Sequence, residues 1–263
     1  MDFAGAFGWA EWLLVIAVTA QVAAMAYLAS PRWKAFVYSL PIPFSIGLFI
    51  VNRPVDASNV LGLLLLLVYI HLIRVFYIRW GWNIILSIVV SAGLYLAFGS
   101  VMNTLLPADD PTLFLWAILV TTAISVVAMR LQPSRSEPGH KTTLPVYVKL
   151  PLIMIIVSLL VAMKGVLGGF MTTFPLVGVL GAYESRHCLW TMSRQFPRLI
   201  LCILALIIVL RLTGKILPMP VALLAGWCVA LPLLWKISVR DHHTLDAKHL
   251  ENLPESGNQE QKS

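Results

Sequence analysis

The sequence predicts an all-α, polytopic membrane protein of about nine transmembrane helices, and three observations carry that prediction. The first is composition. Of 263 residues, 59% are hydrophobic and 12% charged, whereas soluble domains run at roughly 45–50% and about 25%. A soluble fold of this size could not hide so much apolar surface; lipid can. The second is run length. Nine apolar runs fall near residues 9–29, 35–51, 58–78, 81–102, 113–130, 147–167, 169–184, 189–210 and 217–236, and a spanning helix needs about 20 residues. The third is charge placement. With the N-terminus outside and nine crossings, 15 of the 19 Lys and Arg residues fall inside. Arg53, Lys164, Arg211 and Lys215 alone stay outside, which is a strong positive-inside bias.

The runs are read in order. Met1 to Trp9 contain Asp2 and no Lys or Arg, so the basic start of a signal peptide is missing and the first run reads as a retained helix. The second run is short and carries Pro41, Pro43 and Gly47 in SLPIPFSIGLFIVN, ahead of a charged turn from Arg53 to Asp56. The third is purely apolar until His71 and Arg74. These two share a helical face, with Arg74 expected to snorkel and His71, a candidate for the solute or ion pathway, expected to bond a neighbouring helix or, alternatively, to contact the ligand. Gln21 in the first run and Asn83 in the fourth are read as interhelical glue.

The fifth run stands alone before LQPSRSEPGHKTTLPV (131–146), a linker by composition. Lys164, near the outer end of the sixth run, is expected to be a snorkelling anchor, with an anion contact as the alternative. The seventh, GGFMTTFPLVGVLGAYES, is short, carries Pro175 and Gly178, and ends in Glu184-Ser185-Arg186-His187. Two further runs follow. The tail, 237–263, is polar; its first half is expected to form a short helix and its end to be disordered.

Helices one to four (about 9–102) and six to nine (about 147–236) follow one plan. In each set the second helix is short, broken by proline and followed by a charged turn. One linking helix (about 113–130) between two four-helix units inverts the second. Proline in a span frees backbone carbonyls, which in lipid must be satisfied by protein or water. Paired broken helices at matching positions point to a transporter binding site; the plain alternative is a kink in each helix. Pro43, Gly47, Pro175 and Gly178 are expected to shape such a site. Glu184 and His187, three apart, are candidate coupling or gating groups beside Arg186. Arg53 and Asp56 occupy the corresponding outer turn. The plain readings are an interfacial ion pair for Glu184 and a solvated turn for Arg53 and Asp56.

Several classes lack support. The basic excess of +7 lies in short loops, where lipid headgroups account for it, so nucleic acid is not expected as a partner. No HExxH, GxSxG, Walker loop or GxGxxG occurs, and no carboxylate pair lies within a span; the reading is therefore not an enzyme, and no cofactor is implied. Cys188, Cys202 and Cys228 form no CxxC and read as small buried hydrophobes. His242, Asp246 and His249 would share a helical face, but such a trio in a polar tail arises readily by chance, and no metal site is assigned.

The segment GGFMTTFPLVGVLGAYES, with the amphipathic stretch and two helices after it, resembles GlpM-type small bacterial membrane proteins. Those are short four-helix chains with a Phe-Pro pair in the second helix, here Phe174-Pro175. The resemblance covers roughly 147–236, with the first half, carrying Pro43-Phe44, as a diverged second copy. It implies a bacterial inner-membrane location and supports a repeat, and it carries over no chemistry. The expected function is a small-solute or ion transporter in the lipid bilayer, N-terminus outside and C-terminus cytoplasmic. The alternative is a non-transporting accessory protein of an envelope or polysaccharide system, whose protein partner is unknown.

Overall fold

The computed structural model describes residues 8–51, 54–107, 110–133, 137, 140, 145–162 and 168–251. Among them every regular element is helical. The order is α1 (Trp9–Tyr27), α2 (Pro31–Tyr38), α3 (Ile42–Val51), α4 (Ala57–Arg74, continued by a π-turn Val75–Arg79), α5 (Ile84–Leu105) and α6 (Pro111–Leu131). Then come α7 (Val146–Ala162), a 3-10 turn (Gly168–Thr173), α8 (Leu176–Glu184), α9 (Leu189–Thr213) and α10 (Met219–Glu251). Among the described residues six helices are long and apolar enough to cross a bilayer: α1, α4 with its π-turn, α5, α6, α9 and the Met219–Ile237 part of α10. The chain is a multi-pass integral membrane protein. Lipid accounts for the apolar side chains exposed along α5 and α6, such as Ile85, Val89, Leu115 and Leu119.

Six such helices are fewer than the nine spans expected from sequence, two of which carry proline breaks. The second apolar run divides into α2 and α3, and the seventh into the 3-10 turn and α8. The causes are local. Pro41 disfavours the helical conformation at Leu40, so α2 stops at Tyr38, and Ser39 turns its hydroxyl back onto the Ala35 carbonyl (2.8 Å). Pro43 then falls in the first turn of α3, where a missing N–H costs nothing. Pro175 plays the same part in the seventh run, serving as the N-cap residue of α8.

The carbonyls freed at the two breaks are met from neighbouring helices. The Gln21 amide of α1 donates to the carbonyls of Val37 (2.7 Å) and Leu40 (3.3 Å). The Tyr95 hydroxyl of α5 donates to the Phe170 carbonyl (3.1 Å) and lies 2.9 Å from the Thr173 hydroxyl. Gln21 is thus glue between a helix and a broken backbone. Gln21→Leu should cost about 1–3 kcal/mol and Tyr95→Phe about 1 kcal/mol, read from unfolding in detergent micelles. Equal, near-zero costs would mean that water reaches both breaks.

Helix starts are fixed by side chains near them in sequence. Asp56 caps α4 through the Ser58 amide (2.8 Å), with Asn59 closing the box (2.8 Å). Asp110 caps α6. Asn83 caps α5 through the Ile85 amide (2.8 Å), so it begins a helix and is not the interhelical bond expected of it. Glu137, in the linker, receives the Trp190 and Thr191 amides at 3.1 and 2.6 Å and so places a carboxylate on the positive end of α9.

Helix α9 is the most enclosed span, packed on α2, α4, α6 and α10. Helix α1 packs on α2, α3, α7 and α8, while α4 packs on α5, α6, α9 and the 3-10 turn. The tail does not start a separate short helix; its first half prolongs α10 to Glu251. Cys188 and Cys202 are buried as expected, but Cys228 is exposed on α10.

Candidate functional site

The two broken segments meet, break against break. A cavity of about 50 Å3 lies between them, enough for a few waters. Leu40, Pro41, Pro43 and Phe44 line it from one segment, and Phe174, Pro175, Val177 and Gly178 from the other. Leu66 of α4 and Leu199 and Ile203 of α9 close its sides. All four backbone-shaping residues expected from sequence are therefore at or beside one place: Pro43, Pro175 and Gly178 line the cavity, and Gly47 lies one turn farther along α3.

The contact is reciprocal. Tyr38 ends the first half of one segment, and its ring packs over Gly178 and Gly181 in the second half of the other. A Cβ on Gly178 would stand 2.8 Å from the Tyr38 hydroxyl. Thr172, in the first half of the second segment, packs over Gly47 in the second half of the first, 3.3 Å from where a Cβ would be. The outer helices trade contacts too. Tyr95 of α5 reaches the 3-10 turn, and the Trp227 indole of α10 donates to the Ser45 hydroxyl of α3 (2.8 Å).

One turn before Tyr38 on α2 and three residues after Gly181 on α8 lies a buried cluster of charge. The Glu184 carboxylate accepts the Lys149 ammonium at 2.7 Å, and its backbone carbonyl accepts the Lys34 ammonium at 3.3 Å. All three residues are buried, Lys34 to 1% exposure. Burial pushes the Cys188 thiol up to about 11, so it stays neutral beside them.

The remaining expectations resolve separately. Helix α8 ends at Glu184, with Ser185 as its C-cap, so the three-residue spacing does not set Glu184 and His187 on one helical face. His187 instead lies against the His140 ring (centroids 4.4 Å), and its pKa is lowered by burial and by Arg186, His140 and Lys34. Arg186 folds over its neighbour Tyr183, donating to that residue's carbonyl at 3.1 Å. Asp56 is a helix cap, and Arg53 and Lys164 lie outside the described residues. His71 bonds the Leu67 carbonyl through Nδ1 (2.8 Å), so Nε2 is left to accept the Gln132 amide at the end of α6; this is the neighbouring-helix bond expected of it. Arg74 donates to the Ser193 hydroxyl (3.1 Å) and covers the Trp190 ring (4.5 Å), packing on α9.

Sequence reasoning passed over Lys34, Tyr38, Lys149 and Tyr95. Lys34 and Lys149 had been counted only as loop charges. Their position one turn into apolar helices was the available signal, while the pairing of Lys149 with Glu184, 35 residues apart, had none. No protein family, curated protein or solved structure matches the chain.

Proposed function

We propose that the chain is a small-solute or ion transporter whose site lies between the two broken segments, built from two inverted four-helix units. The observation that carries the reading is the reciprocal meeting of the breaks around one cavity, Tyr38 on Gly178 and Thr172 on Gly47. Contact of i with j and j with i is the mark of a two-fold relation. The wider packing supports it, because equivalent helices pair, α1 with α7 and α4 with α9, and α3 meets the 3-10 turn as α2 meets α8. Helix α6 touches both α4 and α9, as a linking helix between two units would.

Discontinuous helices whose ends meet at a cavity are the arrangement by which secondary transporters hold solutes. The nine apolar segments then count as nine crossings, two of them broken. The Lys149–Glu184 end faces the cytoplasm by the positive-inside bias. The unit would be a duplicated GlpM-type fold in a bacterial inner membrane.

Flux into proteoliposomes tests this directly. Purified chain should move at least one member of a broad panel of labelled ions and small solutes. Gly47→Val should abolish that flux, because its side chain would meet the Thr172 backbone. Absence of flux across the whole panel from folded protein would leave the accessory-protein reading in its place.

A further inference from the structure

Among the described residues the charge at the α2–α8 end does not balance, since the Glu137 carboxylate, which also acts on Cys188, is engaged by the Trp190 and Thr191 amides. Lys34 and Lys149 bring two ammoniums to the single Glu184 carboxylate, and the neighbouring Cys188 thiol stays neutral. Arg186 adds positive potential at Lys34. Both lysines lie in the first turn of their helices, so the positive ends of α2 and α7 add to the same field, offset in part by the C-terminus of α8. Among the described residues Lys34 makes one long hydrogen bond, 3.3 Å to a carbonyl, although an ammonium offers three donors. A buried cation with donors to spare, and with one paired carboxylate beside it among the described residues, is stabilised by a further negative group. The occupant in this structure is an oxyanion already, the Glu184 carboxylate at 2.7 Å from Lys149.

We propose that Lys34 and Lys149 form the binding site for a small phosphate-like oxyanion, which takes the place of the Glu184 carboxylate when the α2–α8 end of the cavity opens. The inference rests on the transporter reading and narrows it to an anionic solute. Tyr38 is one turn beyond Lys34 on α2, and Gly181 lies three residues before Glu184 on α8. The ion displaced from the lysines would thus face the cavity across the Tyr38 ring. Glu184 is the internal competitor: when no anion is bound its carboxylate holds Lys149 and its backbone carbonyl holds Lys34.

The test uses full-length chain in a neutral detergent. Inorganic phosphate is titrated against chloride at constant ionic strength, and the melting temperature is followed. Wild type should show a saturable rise with phosphate. Glu184→Gln removes the competitor, so its apparent affinity should be tighter by about tenfold or more, an effect that loss of a merely structural ion pair would not produce. Lys34→Met should lose the response and Lys34→Arg should keep it. If Glu184→Gln does not fold, the Lys34→Met and Lys34→Arg comparison decides alone.

A second series adds short-chain phosphatidylglycerol or phosphatidylcholine in place of phosphate. A response to phosphate alone identifies a free anion; a response to phosphatidylglycerol only identifies a lipid headgroup on the same lysines. Equal phosphate dependence in wild type and Lys34→Met, or weaker binding in Glu184→Gln, overturns the proposal. Binding without flux would preserve the anion site and remove the transporter reading. Flux of a cation or neutral solute with no Lys34-dependent binding would do the reverse.

Discussion

Glu184→Leu should destabilise the protein by about 3–5 kcal/mol, because it leaves the buried Lys149 ammonium without its partner. Lys149→Met should cost a similar amount by stranding the carboxylate. The double variant should recover most of the loss, since a buried ion pair replaced by apolar side chains of like volume is often neutral. The reason lies in burial: with Lys149 and Glu184 both below a tenth exposed, water cannot solvate whichever charge is left. Chemical unfolding of the two single variants and the double variant in micelles gives the coupling directly. A single-variant cost under about 1 kcal/mol would place the pair in the range of solvated surface bridges and mean that this end is open to water. Phosphate should restore part of the Glu184→Leu loss, which links this measurement to the anion site.

Gly178→Ala should cost about 1–3 kcal/mol by overpacking, while Gly93→Ala should be neutral or favourable by up to about 1 kcal/mol from helix propensity. Both glycines are in helices, so backbone preference alone predicts the same sign for both. Their surroundings differ. A Cβ at Gly178 would meet the Tyr38 hydroxyl at 2.8 Å, the Pro175 ring at 2.9 Å and Tyr69 at 3.1 Å, whereas one at Gly93 would meet nothing within 4 Å. Tyr38 cannot easily retreat, because its ring is backed by Phe196 (centroids 4.8 Å). Paired thermal melts read the difference. Equal effects would show that the α2–α8 seam yields to a methyl group and that the two segments are loosely apposed.

Much of the architecture was legible because lipid makes composition and run length decisive. A chain with 59% hydrophobic residues has no soluble solution. The apolar runs mark the helical segments well, since backbone groups in hydrocarbon must bond internally. The two breaks were legible for a related reason: proline acts on its own backbone and on the residue before it, whatever packs nearby. Pro41 and Pro175 therefore announced their breaks locally.

What the breaks touch was a different matter. That Tyr38 would sit on Gly178, Gln21 would satisfy Val37 and Leu40, and Lys149 would find Glu184 depends on which helices become neighbours. The same holds for His187, which a continuous helix would have set beside Glu184 and which the end of α8 sends to His140 instead. The sequence by itself determined the membrane class, the helical segments and the two interruptions, because those follow from short-range backbone chemistry and the solvent. Only the tertiary structure decided that the interruptions face each other and that Lys149 meets the Glu184 carboxylate while Lys34 meets its backbone carbonyl, because pairings across tens of residues are set by packing, to which local pattern is blind.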